Sequence, residues 1–150
     1  MKDIILIGSD HAGYLLKEKL KKYLEKNKYR FVDFGPFDKN EYDYPDFALR
    51  VASQVAKSKN RKGILICGTG TGMVVAANKV KGIRASMCYD KYSAKMAREH
   101  NNANILCLRA RKFSYRNAIN VFRVWINTRF SNKLRHKRRI NKISRFESKR

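Results

Sequence analysis

A cysteine ends the apolar run GILIC at residues 63–67, and the chain then reads Gly68, Thr69, Gly70, Thr71, Gly72, Met73. Three glycines in alternation leave main-chain N–H groups uncovered by side chains, the arrangement that holds an anion at the start of a helix. A dinucleotide fingerprint needs a third glycine where Met73 stands, and a P-loop needs a Lys-Ser or Lys-Thr pair that does not follow. Both nucleotide readings fail on residue type. What remains is a thiol beside an amide cradle, and a thiol set at the positive end of a helix serves as a nucleophile or as a proton-abstracting base. The plainer alternative, a buried strand-end cysteine without chemistry, fits Cys88 and Cys107 better than Cys67, which sits at the junction of strand and loop.

Alternating elements must position such a loop. Short apolar runs at residues 3–10, 30–35, 63–67, 83–89 and 103–108 read as strands. None alternates polar with apolar, so each is expected to be buried on both faces. Between them, helical patterns fall at 45–59, with Pro45 in the first turn, at 73–80, at 91–101 and at 114–130. The first helix carries Leu16, Leu20, Tyr23 and Leu24 on one face, lysines on the other, and Ser9 or Asp10 as its cap. Five strands alternating with helices predict a doubly wound, Rossmann-like α/β domain with a five-stranded parallel sheet covered on both faces. Ligands of such sheets bind outside the carboxyl ends of the strands. The loops SDHAG, CGTGTGM, YDKYSA and RARKFS therefore matter most.

At 150 residues one domain is expected, with an α/β body over 1–130 and a basic helical tail over 131–150. Leu134, Ile140, Ile143 and Phe146 are thinly spread in that tail, so it should pack loosely and meet a partner subunit. The three cysteines show no zinc spacing and no even count, which suits a reduced, cytoplasmic protein. The first apolar run is too short for a signal peptide, and no stretch approaches the length of a membrane span. The net charge of +23 draws attention to polyanions. Arg129 to Arg150 hold four lysines and six arginines against one acid, Glu147. With base-stacking and groove motifs absent, a solvated basic helix is the better reading, and nucleic acid is expected to bind only non-specifically.

Several segments together, IGSDHAGYLLK, YPDFA, ILICGTGTGMVVAANKVKGIRAS and AREHNNANILCL, resemble the type B ribose-5-phosphate isomerases, a family that also holds the galactose-6-phosphate isomerase subunits. The likeness runs from Lys2 to about Phe146. It implies aldose–ketose isomerisation of a sugar phosphate through an enediolate, with no cofactor and no metal. By resemblance Cys67 is the base, and the glutamate that another branch of the family uses is replaced here by Met73. The amides of Gly68, Gly70, Thr71 and Gly72 would hold the enediolate oxygen, and Thr69 would move protons between sugar oxygens.

Asp10 and His100 correspond to the pair that opens the furanose ring, with His100 and Asn101 lent by a neighbouring subunit. A homodimer or a dimer of dimers is thereby implied. His11, Arg111, Arg135 and Arg139 match the phosphate contacts; the last two, four apart on a helix, project from one side. The family's glycine before that first arginine is Arg109 here. Tyr44 would line the sugar pocket. Two alternatives stay open: a six-carbon substrate of the galactose or allose 6-phosphate type, and a basic nucleic-acid-binding α/β protein without activity.

Overall fold

The computed structural model describes residues 3–149. Five parallel strands, β1 (Ile4–Ser9), β2 (Phe31–Asp33), β3 (Arg61–Cys67), β4 (Ala85–Met87) and β5 (Ile105–Arg109), form one sheet in the order β2-β1-β3-β5-β4. Six helices connect or follow them: α1 (Tyr14–Lys26), α2 (Tyr44–Ala56), α3 (Thr71–Ala77), α4 (Lys91–Glu99), α5 (Tyr115–Asn127) and α6 (Leu134–Glu147).

Strand alternation divides the core into two layers, because successive side chains point to opposite faces. Ile5, Ile7, Ile64, Ile66, Leu106 and Leu108 pack with α1, α4 and α5. Leu6, Leu65, Cys67, Ile105 and Cys107 pack with α2 and α3 on the other side. The doubly wound fold expected from the sequence is thus present. β3 lies at the middle of the sheet, and its last residue, Cys67, reaches the carboxyl edge flanked by the ends of β1 and β5.

Two expectations about α1 are corrected. Its N-cap is Gly13, with no side-chain cap. Asp10 instead accepts the Gly13 N–H at 2.9 Å and so shapes the turn ahead of the helix. Nor do all the lysines lie on the wet face, since Lys17 is fully buried. Its Nζ donates to Asp33 Oδ2 at 2.7 Å and to Glu18 Oε1 at 2.9 Å, and Lys21 joins the same carboxylates. Burial alone would raise the carboxyls of Asp33 and Glu18. Hydrogen bonds from the two lysines outweigh it and hold both below their ordinary range.

The short edge strand β4 is fastened by asparagines. Asn78 donates to the Ala85 carbonyl and accepts from the Ala85 N–H. Asn104 does the same for the Gly82 carbonyl and the Arg84 N–H. The asparagines of the AANK and NNAN segments therefore supply the pairing that a neighbouring strand would give.

The tail is helical, as expected. It is anchored at both ends: Ser131 N–H donates to the Glu99 carbonyl, and Gly82 N–H donates to Glu147 Oε2. Its apolar residues Leu134, Ile143 and Phe146 are nevertheless exposed.

Candidate active site

The expected site residues form two groups. In the first, Cys67 is buried at the end of β3 with 4% of its surface exposed. The chain passes through Gly68 and Thr69 to Gly70, whose φ of 82° is the left-handed conformation that glycine adopts without strain. That turn sends the Gly70 N–H back onto Cys67 Sγ, 3.1 Å away. It also starts α3 two residues earlier than the apolar pattern suggests, at Thr71. Thr69 and Thr71 are exposed, and the Thr71 N–H faces Thr69 Oγ1 at 3.4 Å.

Neighbouring loops close around this turn. Asp10 is 8% exposed, and its N–H donates to the Ile66 carbonyl, so the loop after β1 lies against the end of β3. His11 is exposed and its Nδ1 accepts from the Tyr42 N–H at 3.3 Å. Tyr44 opens α2, and its ring stands over Gly72. From the other side, Ala110 N–H donates to the Cys67 carbonyl and Arg111 N–H to the Gly68 carbonyl. The Arg111 guanidinium lies so close to Gly68 that an added β-carbon would meet it at 3.1 Å. Arg109 faces outward over the Phe113 ring, so its presence in place of glycine leaves Arg111 against the cysteine loop.

The second group is on α4 and α6. His100 ends α4, and Asn101 follows it, exposed. Arg135 and Arg139 project from α6, and Asn101 and Arg139 line one groove with Ile140 and Ile143. Between them lies a residue to which sequence reasoning gave no role. His136 is 1% exposed, and its ring packs on His100 with centroids 4.3 Å apart. A histidine among lysines and arginines offers no signal of burial, and only its place between Arg135 and Arg139 singles it out. Among the described residues no hydrogen bond or ion pair joins the two groups.

The other thiols are inert by position. Cys107 is fully buried, which pushes its thiol well up, and burial raises Cys88 to about 11. No cluster of His, Cys, Asp or Glu among the described residues suits a metal ion. No helix among them is long and apolar enough to cross a membrane.

The Cys67 thiol, the glycine turn and the Arg111 guanidinium thus meet at the carboxyl edge of the sheet, while Arg135 and Arg139 stand apart from them on α6. The sequence profile of the ribose/galactose isomerase family matches residues 5–143. The chain belongs to this family, on the side of the type B ribose-5-phosphate isomerases.

The probable ribose-5-phosphate isomerase B of Mycoplasma genitalium is 44% identical over 146 residues, 95% of each chain. Ribose-5-phosphate isomerase B of Escherichia coli is 36% identical over 97% of each. Among solved structures, the Mycoplasma genitalium enzyme with bound ribulose-5-phosphate superposes with a TM-score of 0.96 at 42% identity, covering 100% of this chain and 99% of that one. The ribose-5-phosphate isomerase B of Clostridium thermocellum gives 0.92 at 44% identity, over 97% and 98%.

Proposed function

We propose that the protein interconverts ribose 5-phosphate and ribulose 5-phosphate through an enediolate, with Cys67 as the base. The observation that carries this reading is the Gly70 N–H directed at Cys67 Sγ at 3.1 Å, in a glycine turn at the carboxyl edge of the sheet. Such donors stabilise negative charge as it develops, on the sulfur before proton transfer and on the sugar oxygen after it.

Asp10 and His100 open the furanose ring: one takes up the anomeric hydroxyl proton and the other supplies a proton to the ring oxygen. The Cys67 thiolate then removes the proton from carbon two of the open aldose. The C–H electron pair becomes the carbon–carbon double bond of the enediolate, and the carbonyl pair moves onto oxygen one, facing the amides of Gly68 to Gly72. Thr69 relays a proton from oxygen two to oxygen one, and the thiol returns its proton to carbon one, which leaves the ketose. His11, Arg111, Arg135 and Arg139 hold the phosphate.

The pocket is completed between subunits of a homodimer. Asp10, His11, Tyr44, the cysteine loop and Arg111 come from one chain, and His100 and Asn101 from its neighbour. Because Arg135 and Arg139 stand beside His100 on α6, the subunit that lends the histidine lends them too. The basic tail is thus part of the phosphate site and of the subunit contact, and the reaction is a cytoplasmic one.

The test is conversion of ribose 5-phosphate by the purified protein, with galactose 6-phosphate and allose 6-phosphate as competitors for the assignment. Cys67→Ala should lower kcat by about 10²- to 10⁴-fold, the scale of general-base catalysis, with the fold intact. Absence of turnover on ribose 5-phosphate, or near-normal turnover by the variant, would overturn the reading.

A further inference from the structure

The His136 ring meets Arg135, Ser131 and His100, and the first and last of these are candidates for substrate binding and catalysis. Arg135 Nε, which can only donate, points at His136 Nε2 at 3.3 Å. That nitrogen must therefore carry the lone pair. The proton is then on Nδ1, which donates to Ser131 Oγ at 2.6 Å. Ser131 is in turn fixed by its own N–H on the Glu99 carbonyl, one residue before His100. The imidazole face packs on the His100 ring, tilted by 41°. A buried side chain thus touches the base of one arginine and the face of one histidine, and its tautomer is set by a serine tied to the end of α4.

We infer that His136, as a neutral imidazole, is a positioning residue that fixes His100 and Arg135 relative to one another. This rests on the reading of His100 and Arg135 given above. The ring-opening histidine and the phosphate-binding arginine are then presented to the neighbouring pocket as one preset unit. Orientation of this kind matters because a displacement of about 1 Å in a reacting group costs on the order of 100-fold in rate.

The neutral state is required, since a second ring proton would leave Arg135 without its acceptor. The surroundings favour it: burial first, then the charges of His100, Arg135, Arg139 and Lys133, all push the His136 pKa below its ordinary value of 6.5. The nearby carboxylate of Glu99 lies 3.9 Å from His100 Nε2.

Two substitutions separate the two contacts. His136→Phe keeps a flat ring against His100 and removes the acceptor, so KM for ribose 5-phosphate should rise about tenfold with kcat within about threefold. His136→Gln keeps an acceptor for Arg135 and removes the ring, so kcat should fall about tenfold with KM little changed. Proportional changes in both constants for both variants, or no change in either, with an active wild type, would overturn the inference.

A readout independent of turnover distinguishes this from failure of the isomerase reading. Long-range proton–nitrogen spectra of the wild type should place the His136 proton on Nδ1. Nuclear Overhauser contacts from the His100 ring to its other neighbours should change in His136→Gln and persist in His136→Phe. A wild-type proton on Nε2, or unchanged His100 contacts in the glutamine variant, sinks the proposal even if neither variant is active. If neither variant folds, the wild-type tautomer decides alone.

Discussion

The ring of Tyr44 lies so close over Gly72 that a β-carbon added to the glycine would come within 2.8 Å of Tyr44 Cε2 and Cζ. The first turns of α2 and α3 are thereby brought together, and the aromatic ring roofs the amide turn beside Cys67. Gly72→Ala must push that ring aside. We expect kcat/KM for ribose 5-phosphate to fall by roughly 10- to 100-fold, the usual cost of a misplaced positioning group. If the collision is the cause, the same change in a Tyr44→Ala background should cost far less, because residues in contact are not additive. A double-mutant cycle in which the two losses simply multiply would show that the ring and the glycine act separately.

The three thiols should react unequally. Cys88, raised to about 11, and Cys107, raised well above the ordinary thiol value by complete burial, stay protonated at pH 8. Cys67 ends β3 at the centre of the sheet's carboxyl edge, beside the glycine turn. Mapping by mass spectrometry after brief iodoacetamide treatment should therefore find Cys67 labelled first, and ribose 5-phosphate should slow the labelling. Equal labelling of Cys88 would mean that the apolar layer opens more readily than its packing implies.

Much of this was legible in the sequence, for definable reasons. Period and length alone separate buried parallel strands from helices, so all five strands and six helices could be placed. Their ends moved where a single backbone or side-chain event intervened. Gly70 turned left-handed and began α3 at Thr71, and Asn78 left the helix to pair with β4. The cysteine loop could be read because its glycines are needed for close approach. Lys17 and His136 could not. Each is a basic residue in a basic helix, and only the tertiary fold brings Asp33 to one and His100 to the other.

The buried lysine leads to a prediction about stability. Asp33→Asn would leave Lys17 without its closest carboxylate, and breaking a buried pair by removing one partner costs about 3 kcal/mol. For a chain of this size that is a loss of roughly 6–12 °C in Tm. Although burial opposes it, bonding from Lys17, Lys21 and the Gly35 N–H holds the Asp33 carboxyl below its usual 3.8. The stabilisation it brings is fully present above that value and is lost as pH falls through the lower folded one. Thermal melts of the two proteins should differ most near neutrality, and the gap should begin to close only as pH falls below about 3.8, towards the lower folded value. A gap that stays constant into acid would mean that the charge of Asp33 is not what matters.

The separation of the site residues into two groups within one chain can be tested without a structure. Cys67→Ala damages the first group, Arg135→Ala the second, and each homodimer should be impaired at both of its sites. When the two proteins are denatured and refolded together, or coexpressed, about half of the dimers pair one chain of each kind. In a two-fold symmetric pair, one of the mixed dimer's sites receives both defects and the other receives neither. Recovery of about a quarter of wild-type activity is therefore expected from the equimolar mixture. A site built within a single chain gives no such rescue, because every pocket then carries one lesion whichever chain it pairs with. The assay should be run well below the wild-type KM for ribose 5-phosphate, where the arginine variant, expected to suffer mainly in KM, reads as impaired; at saturation its own homodimers would mask the rescue.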